Sequence, residues 1–197
     1  GRYVLDPNSP GGRDLADQVN FGTVPAQYSS GALTGHPVLG KMVLSDLKWK
    51  DFNPSIDLNK FSAADGSALP DDMQLFDKNF TDALLQIKDK KLHLILLHTV
   101  PAFHFGNPKS PNYERNRDQL RFLEWYLTGE TDISVELEGI SPISGESFAA
   151  VGDFNVDTTS EDPGAAVLKR LFNKTTPWME PSDMSFTNEG SGFAPRP

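Results

Sequence analysis

Cysteine is absent from the 197 residues, so disulfide staples and thiolate metal sites play no part in this chain. That absence leaves a cytoplasmic and an exported location equally open. Long apolar runs are also missing. The longest lies near Leu94 to Leu97, far short of the roughly eighteen residues a membrane-spanning helix needs. Internal repeats and low-complexity tracts are lacking too. Positive charge is scarce: 18 Lys and Arg stand against 27 Asp and Glu, a net charge of −9. Nucleic-acid binders draw most of their affinity from neutralising phosphates, so this balance counts against an enzyme acting on long polymers. A local basic patch could still coexist with it. Lys88, Lys90 and Lys91 cluster, but at an expected hairpin turn, where a solvated surface is the simpler reading. With neither an initiating Met nor a secretory signal, the chain is expected to be processed or a fragment.

What is present describes an ordinary soluble globule: 38% hydrophobic residues and 23% charged, long enough to bury a sizeable core as one domain, residues 1–197. Residues 1–30, rich in Gly, Pro, Asn and Asp, read as a long irregular loop. Two short strands are expected near 31–35 and 38–45, separated by Gly35-His36-Pro37. Residues 50–80 carry Pro54, Gly66, Pro70 and many Asp with scattered apolar anchors. They read as a long insertion that shapes a pocket. A hairpin follows, with strands near 83–88 and 92–99. Leu120, Leu123 and Leu127 recur at helical spacing before Gly129, which predicts a helix over 114–128 with a glycine stop. A second helix is expected from Pro163 to about 172, with Asp162 as its N-cap.

Residues 147–157, Ser-Phe-Ala-Ala-Val-Gly-Asp-Phe-Asn-Val-Asp, carry the most information. A short apolar run reads as a strand near 147–152, and alternation sends Asp153 and Asn155 to the same side. An acid and an amide at a strand's end suit a metal-bound water and a phosphoryl oxygen. An Asx-rich turn is the plainer alternative. Residues 92–101, Leu-His-Leu-Ile-Leu-Leu-His-Thr-Val-Pro, form another apolar strand that delivers His98 at its end. Two strands about fifty residues apart thus each present polar groups where sheet enzymes build their sites. His93, five residues before His98, faces the opposite side and reads as structural. His36 sits in a turn. His104, on the loop beyond His98, borders the expected site.

A strand ending Leu-Leu-His-Thr-Val-Pro, a helix, and a strand ending Val-Gly-Asp-Phe-Asn together resemble the endonuclease/exonuclease/phosphatase superfamily, in particular a bacterial, often exported branch. Further echoes are Ala26-Gln27-Tyr28, Trp49-Lys50-Asp51, Leu69-Pro70, the run Glu114 to Gln119, and Pro163-Gly164-Ala165. The resemblance spans roughly residues 12 to 172. It implies an α+β (α/β) sandwich, two packed mixed β-sheets flanked by helices in the deoxyribonuclease I-like manner.

It also implies hydrolysis of phosphate esters with Mg2+ or another divalent cation such as Mn2+ or Ca2+. Asp153 would hold the cation and orient the attacking water. Asn155 would bind a phosphoryl oxygen or orient Asp153, and His98 would donate to the phosphoryl group. Gln27, Tyr28 and His104 would border a small-molecule or lipid-type phosphoester. Export to the periplasm or beyond follows from the branch. A nuclease of the same superfamily and a non-catalytic binding domain are the alternatives.

The family's early Asn and metal-binding Glu have no counterpart here, and no histidine follows Phe172 to supply its closing Asp-His pair. The chain is therefore expected to be the middle of such a domain, lacking the first and last strands. Oligomeric state is not legible.

Overall fold

The computed structural model describes residues 31–177. Their centre is a four-stranded sheet of β1 (Val38–Leu44), β2 (Phe80–Ile87), β3 (Lys90–His98) and β4 (Phe148–Asp153), in that spatial order. β1, β2 and β3 run antiparallel as a meander, while β3 and β4 are parallel. The helix α2 (Asn112–Thr128) lies in the crossover between these two strands, and α3 (Pro163–Lys174) follows β4. The chain is thus a mixed sheet with helices, the α+β class. The strand expected at 31–35 does not form. Leu33 is fully exposed there, so the segment has nothing to pack against.

One sheet face carries the core, and the other, among the described residues, is largely open, with Leu85 the buried apolar side chain on it. Phe80, Ile95 and Leu97 are buried on the covered face, with Met42, Leu44, Phe148 and Ala150 beside them. α2 supplies Leu120, Phe122, Leu123, Tyr126 and Leu127 to the same core, and α3 supplies Val167, Leu168 and Leu171. Phe122 is the hub, with ring centroids 4.9 Å from Phe80, 5.2 Å from Phe76 and 5.6 Å from Phe52. Edge-to-face pairs of this kind contribute about 0.5–1.5 kcal/mol each beyond the area they bury. On the other face, alternation places Leu94, Leu96 and Val151, with Val43 and Val151 about half exposed.

The expected 50–80 insertion supplies a large part of the core. Trp49 and Phe52, on the one-turn helix α1 (Trp49–Phe52), are fully buried, as are Leu58, Met73, Leu75 and Phe76 or nearly so. The segment is fastened by Trp49 N–H to the Met73 carbonyl and Leu75 N–H to the Leu47 carbonyl, both 2.8 Å. Its scattered apolar residues have no period because each reaches the core from irregular backbone. α2 begins two residues before the expected start, and Gly129 closes it in the left-handed region (φ 82°), as a C′ glycine should. Asp162 does precede α3, but its side chain caps nothing. It accepts from the Ser160 hydroxyl instead, at 2.9 Å.

The polar run at the start of α2 is a buried clamp. Arg115 donates to the Leu75 and Gln74 carbonyls at 3.0 and 2.7 Å. Asn116 donates to Thr99 Oγ1, Val100 O and Phe154 O. Gln119 accepts from Val100 N–H and donates to Leu75 O, both at 2.8 Å. One helical turn therefore fixes the chain just before β2, just after β3 and just after β4. Those are the three places where the candidate site is built.

Candidate active site

β3 and β4 end side by side. Their parallel register pairs Leu97 with Gly152 and His98 with Asp153, so two residues 55 positions apart become cross-strand neighbours on the uncovered face. His98 Nε2 lies 4.0 Å from Asp153 Oδ2, with the histidine side chain 38% exposed and the carboxylate 62% exposed. That gap exceeds a direct hydrogen bond and leaves each group able to reach a shared water or substrate oxygen. Oδ1 of Asp153 is already fixed by the backbone N–H of Asn155 at 2.9 Å.

Asn155 adopts φ 50°, a left-handed conformation that asparagine tolerates better than most residues. Its side-chain amide donates to the Thr99 carbonyl at 2.9 Å. The contact to Asp153 is made by the backbone N–H, as in the plainer Asx turn. β4 ends at Asp153, so the alternation expected to send Asp153 and Asn155 to the same side does not extend to Asn155.

Two charged residues join the site from just before β2. Asp77 and Lys78 form a buried ion pair at 2.7 Å, each side chain 6% exposed. Gln119 Nε2 approaches Asp77 at 3.5 Å. The His98 imidazole feels both. Its pKa is pushed below the ordinary histidine value first by burial and then by the Lys78 charge, against the opposing pull of Asp153 and Asp77. His98 is therefore neutral at neutral pH. Nothing in the residues alone announces this pair, since Asp-Lys before a strand usually marks a solvated turn.

The other expected residues separate cleanly. His93 lies on the covered face, where its Nδ1 is 2.7 Å from Asp82 Oδ2. Tyr126 donates to the same oxygen at 2.6 Å, and burial followed by that carboxylate raises the phenol well above its usual pKa. His93 is thus a satisfied structural histidine. His36 is a turn residue whose N–H donates to Thr34 Oγ1. His104 is exposed on the loop after β3, and Ala102 N–H at that loop's start donates to the Asn155 carbonyl at 3.0 Å. Gln27 and Tyr28 lie outside the described residues.

A divalent cation was expected on Asp153. Among the described residues no three His, Asp or Glu side chains converge in a way that could hold one. Asp153 alone offers an exposed hard oxygen, so this stretch does not fit a metal by itself.

The histidine gives a direct test. In imidazole NMR titrations His98 should titrate below about 6.5, the ordinary value. Lys78→Gln should raise that pKa and Asp153→Asn should lower it further. Because the folded-state pKa is depressed, the unfolded chain binds the extra proton. The stability His98 contributes is complete above about pH 6.5 and is lost as pH falls through the window below it. An unshifted value that ignores Lys78 would detach the buried pair from the site.

A scan of family models, a search of curated proteins and a search of solved structures each return no match to this chain. No helix among the described residues is long and apolar enough to cross a membrane.

Proposed function

We propose that this chain carries part of the active site of a phosphoester hydrolase of the endonuclease/exonuclease/phosphatase type, acting on a small or lipid-type substrate. The observation that carries the reading is the pairing of His98 with Asp153 at adjacent strand ends, 4.0 Å apart on an open face. Asp153, one oxygen pinned and the other free, suits the orientation of an attacking water. Neutral His98 keeps one N–H that can donate to a phosphoryl oxygen as charge develops there. Lys78 is buried and paired with Asp77, so the pair brings no net charge and bears on the site through the His98 imidazole.

The reading includes a two-sheet sandwich, and the apolar uncovered face with Leu94, Leu96 and Val151 is the kind of surface a second sheet would cover. It also includes a divalent cation such as Mg2+, which would neutralise phosphoryl charge. Of the described residues at this site, Asp153 is the one that would serve it as a ligand. The net charge of −9 favours this reading over a nuclease acting on long polymers. Export is part of the same proposal.

Steady-state rates on a chromogenic phosphomonoester and phosphodiester, with Mg2+ and with chelator, test it in the longest natural polypeptide containing this chain. His98→Ala should lower kcat by about two to three powers of ten, the scale of losing one transition-state donor. Asp153→Ala should lose at least as much. His93→Ala, measured where the variant is folded, should lose far less, because it faces the core. Equal losses at His93 and His98 would mean that fold damage rather than chemistry was being read. No hydrolysis by the parent polypeptide would leave the non-catalytic binding domain as the better reading.

A further inference from the structure

Of the large apolar side chains exposed among the described residues, the two aromatic ones sit together. Phe103 is 51% exposed and Phe105 68% exposed, with His104 between them. The Phe103 and His104 rings are nearly parallel, 9° apart with centroids at 5.3 Å. The Phe105 ring stands at 87° to Phe103, 4.9 Å away. Three consecutive rings thus pack on one another while both phenylalanines stay more than half exposed.

The loop is held in this form at a cost. Phe105 has φ 48° and Gly106 follows at 83°. A bulky residue in the left-handed region is uncommon, and such strain persists only where the surroundings impose it. They do so here. Phe103 O accepts from Asn112 Nδ2, Gly106 N–H donates to His104 Nδ1, and Asn107 reaches across to the Ser62 and Ala63 carbonyls. Ala102 N–H is bonded to the carbonyl of Asn155, the residue that orients Asp153. The aromatic triplet is thus held on the loop that follows β3, which Ala102 ties to the segment just after Asp153.

Resting on the hydrolase reading above, we propose that Phe103, His104 and Phe105 form a stacking surface for a flat aromatic ring carried by the phosphoester substrate, of the kind found in a mononucleotide. Aromatic side chains take up such rings through their faces with little demand on ring identity, so the surface selects flatness rather than a hydrogen-bond pattern. The phosphate would then lie towards His98.

NMR-monitored titrations with adenosine 5′-monophosphate, ribose 5-phosphate and adenosine decide this. The wild type should bind the nucleotide roughly ten-fold more tightly than ribose 5-phosphate, the usual scale for one stacked base. Phe103→Ala and Phe105→Ala should each shrink that preference to two-fold or less and leave ribose 5-phosphate binding unchanged. Both side chains are exposed, so neither variant opens a core cavity, and an unchanged urea midpoint verifies this. Equal binding of the two phosphates, with His98 responding to both, overturns the stacking surface and leaves the hydrolase reading intact. Adenosine binding at 103–105, with His98 silent to every phosphate, overturns the hydrolase reading and the shared substrate with it. Binding to phosphatidylcholine vesicles that is lost in both variants, with no ring preference, assigns the loop to a lipid surface and also overturns the proposal.

Discussion

Gly152→Ala should destabilise the protein by about 4 kcal/mol or more, a size reserved for severe backbone or core damage. Gly152 sits at φ 149°, and a Cβ there would lie 1.7 Å from the Leu97 carbonyl oxygen and 2.8 Å from its carbon. Both are backbone atoms of the paired strand, so no side-chain rotation can relieve the clash. β3 and β4 must part where they carry His98 and Asp153. Against a total stability of roughly 5–15 kcal/mol, that removes a large part of the margin.

Gly40→Ala is the control. It lies in β1 with nothing within 4 Å of the added methyl and should change stability by no more than about 1 kcal/mol. Urea unfolding of both variants gives the comparison. A Gly152→Ala protein within about 1 kcal/mol of wild type would show that the two strand ends are not in this register.

That glycine illustrates what could be read from the sequence. Gly-Asp-Phe-Asn marked a strand end, and the apolar runs before Asp153 and His98 marked two strands, although β4, last in the described sheet, buries none of its residues. Those signals are local. That the strands are parallel neighbours in a register pairing His98 with Asp153 is a tertiary fact, and so is the close approach that demands a glycine. The helix α2 was legible through Leu120, Leu123 and Leu127. Its polar first turns were not, since Arg115, Asn116 and Gln119 are buried by partners far along the chain. A polar residue in a helix reads as solvent-facing unless its partners are known. Asp77 and Lys78 went unread for the same reason. The 49–76 segment defeated periodicity altogether, because irregular backbone can deliver Trp49, Phe52 and Phe76 to one core without repeating any interval.

The same helix provides the second large effect. Asp118→Ala should cost about 3–5 kcal/mol, the range for removing one partner from a buried charged network. Asp118 is completely buried. One carboxylate oxygen accepts from Trp49 Nε1 and Asn53 Nδ2, both at 2.7 Å. The other accepts from Arg121 at 2.8 Å and Arg117 at 3.2 Å. Truncation strands an indole N–H and an amide in the interior, each carrying an unrecovered desolvation cost of roughly 1–3 kcal/mol. Arg121 keeps Asp132 at 2.6 Å, so its loss is partial.

Arg117→Ala should cost under about 1 kcal/mol, since that side chain is 21% exposed and its remaining partner is Glu114 on the surface. Asp118→Asn separates charge from shape. It keeps one acceptor but turns an NH2 group towards two donors, so it too should be strongly destabilising. Urea unfolding with an unchanged m-value measures all three. If Asp118→Ala cost no more than Arg117→Ala, the Asp118 contacts to Trp49 and Asn53 would not anchor the 49–76 segment, and its hold on α2 would rest on Arg115 and Gln119.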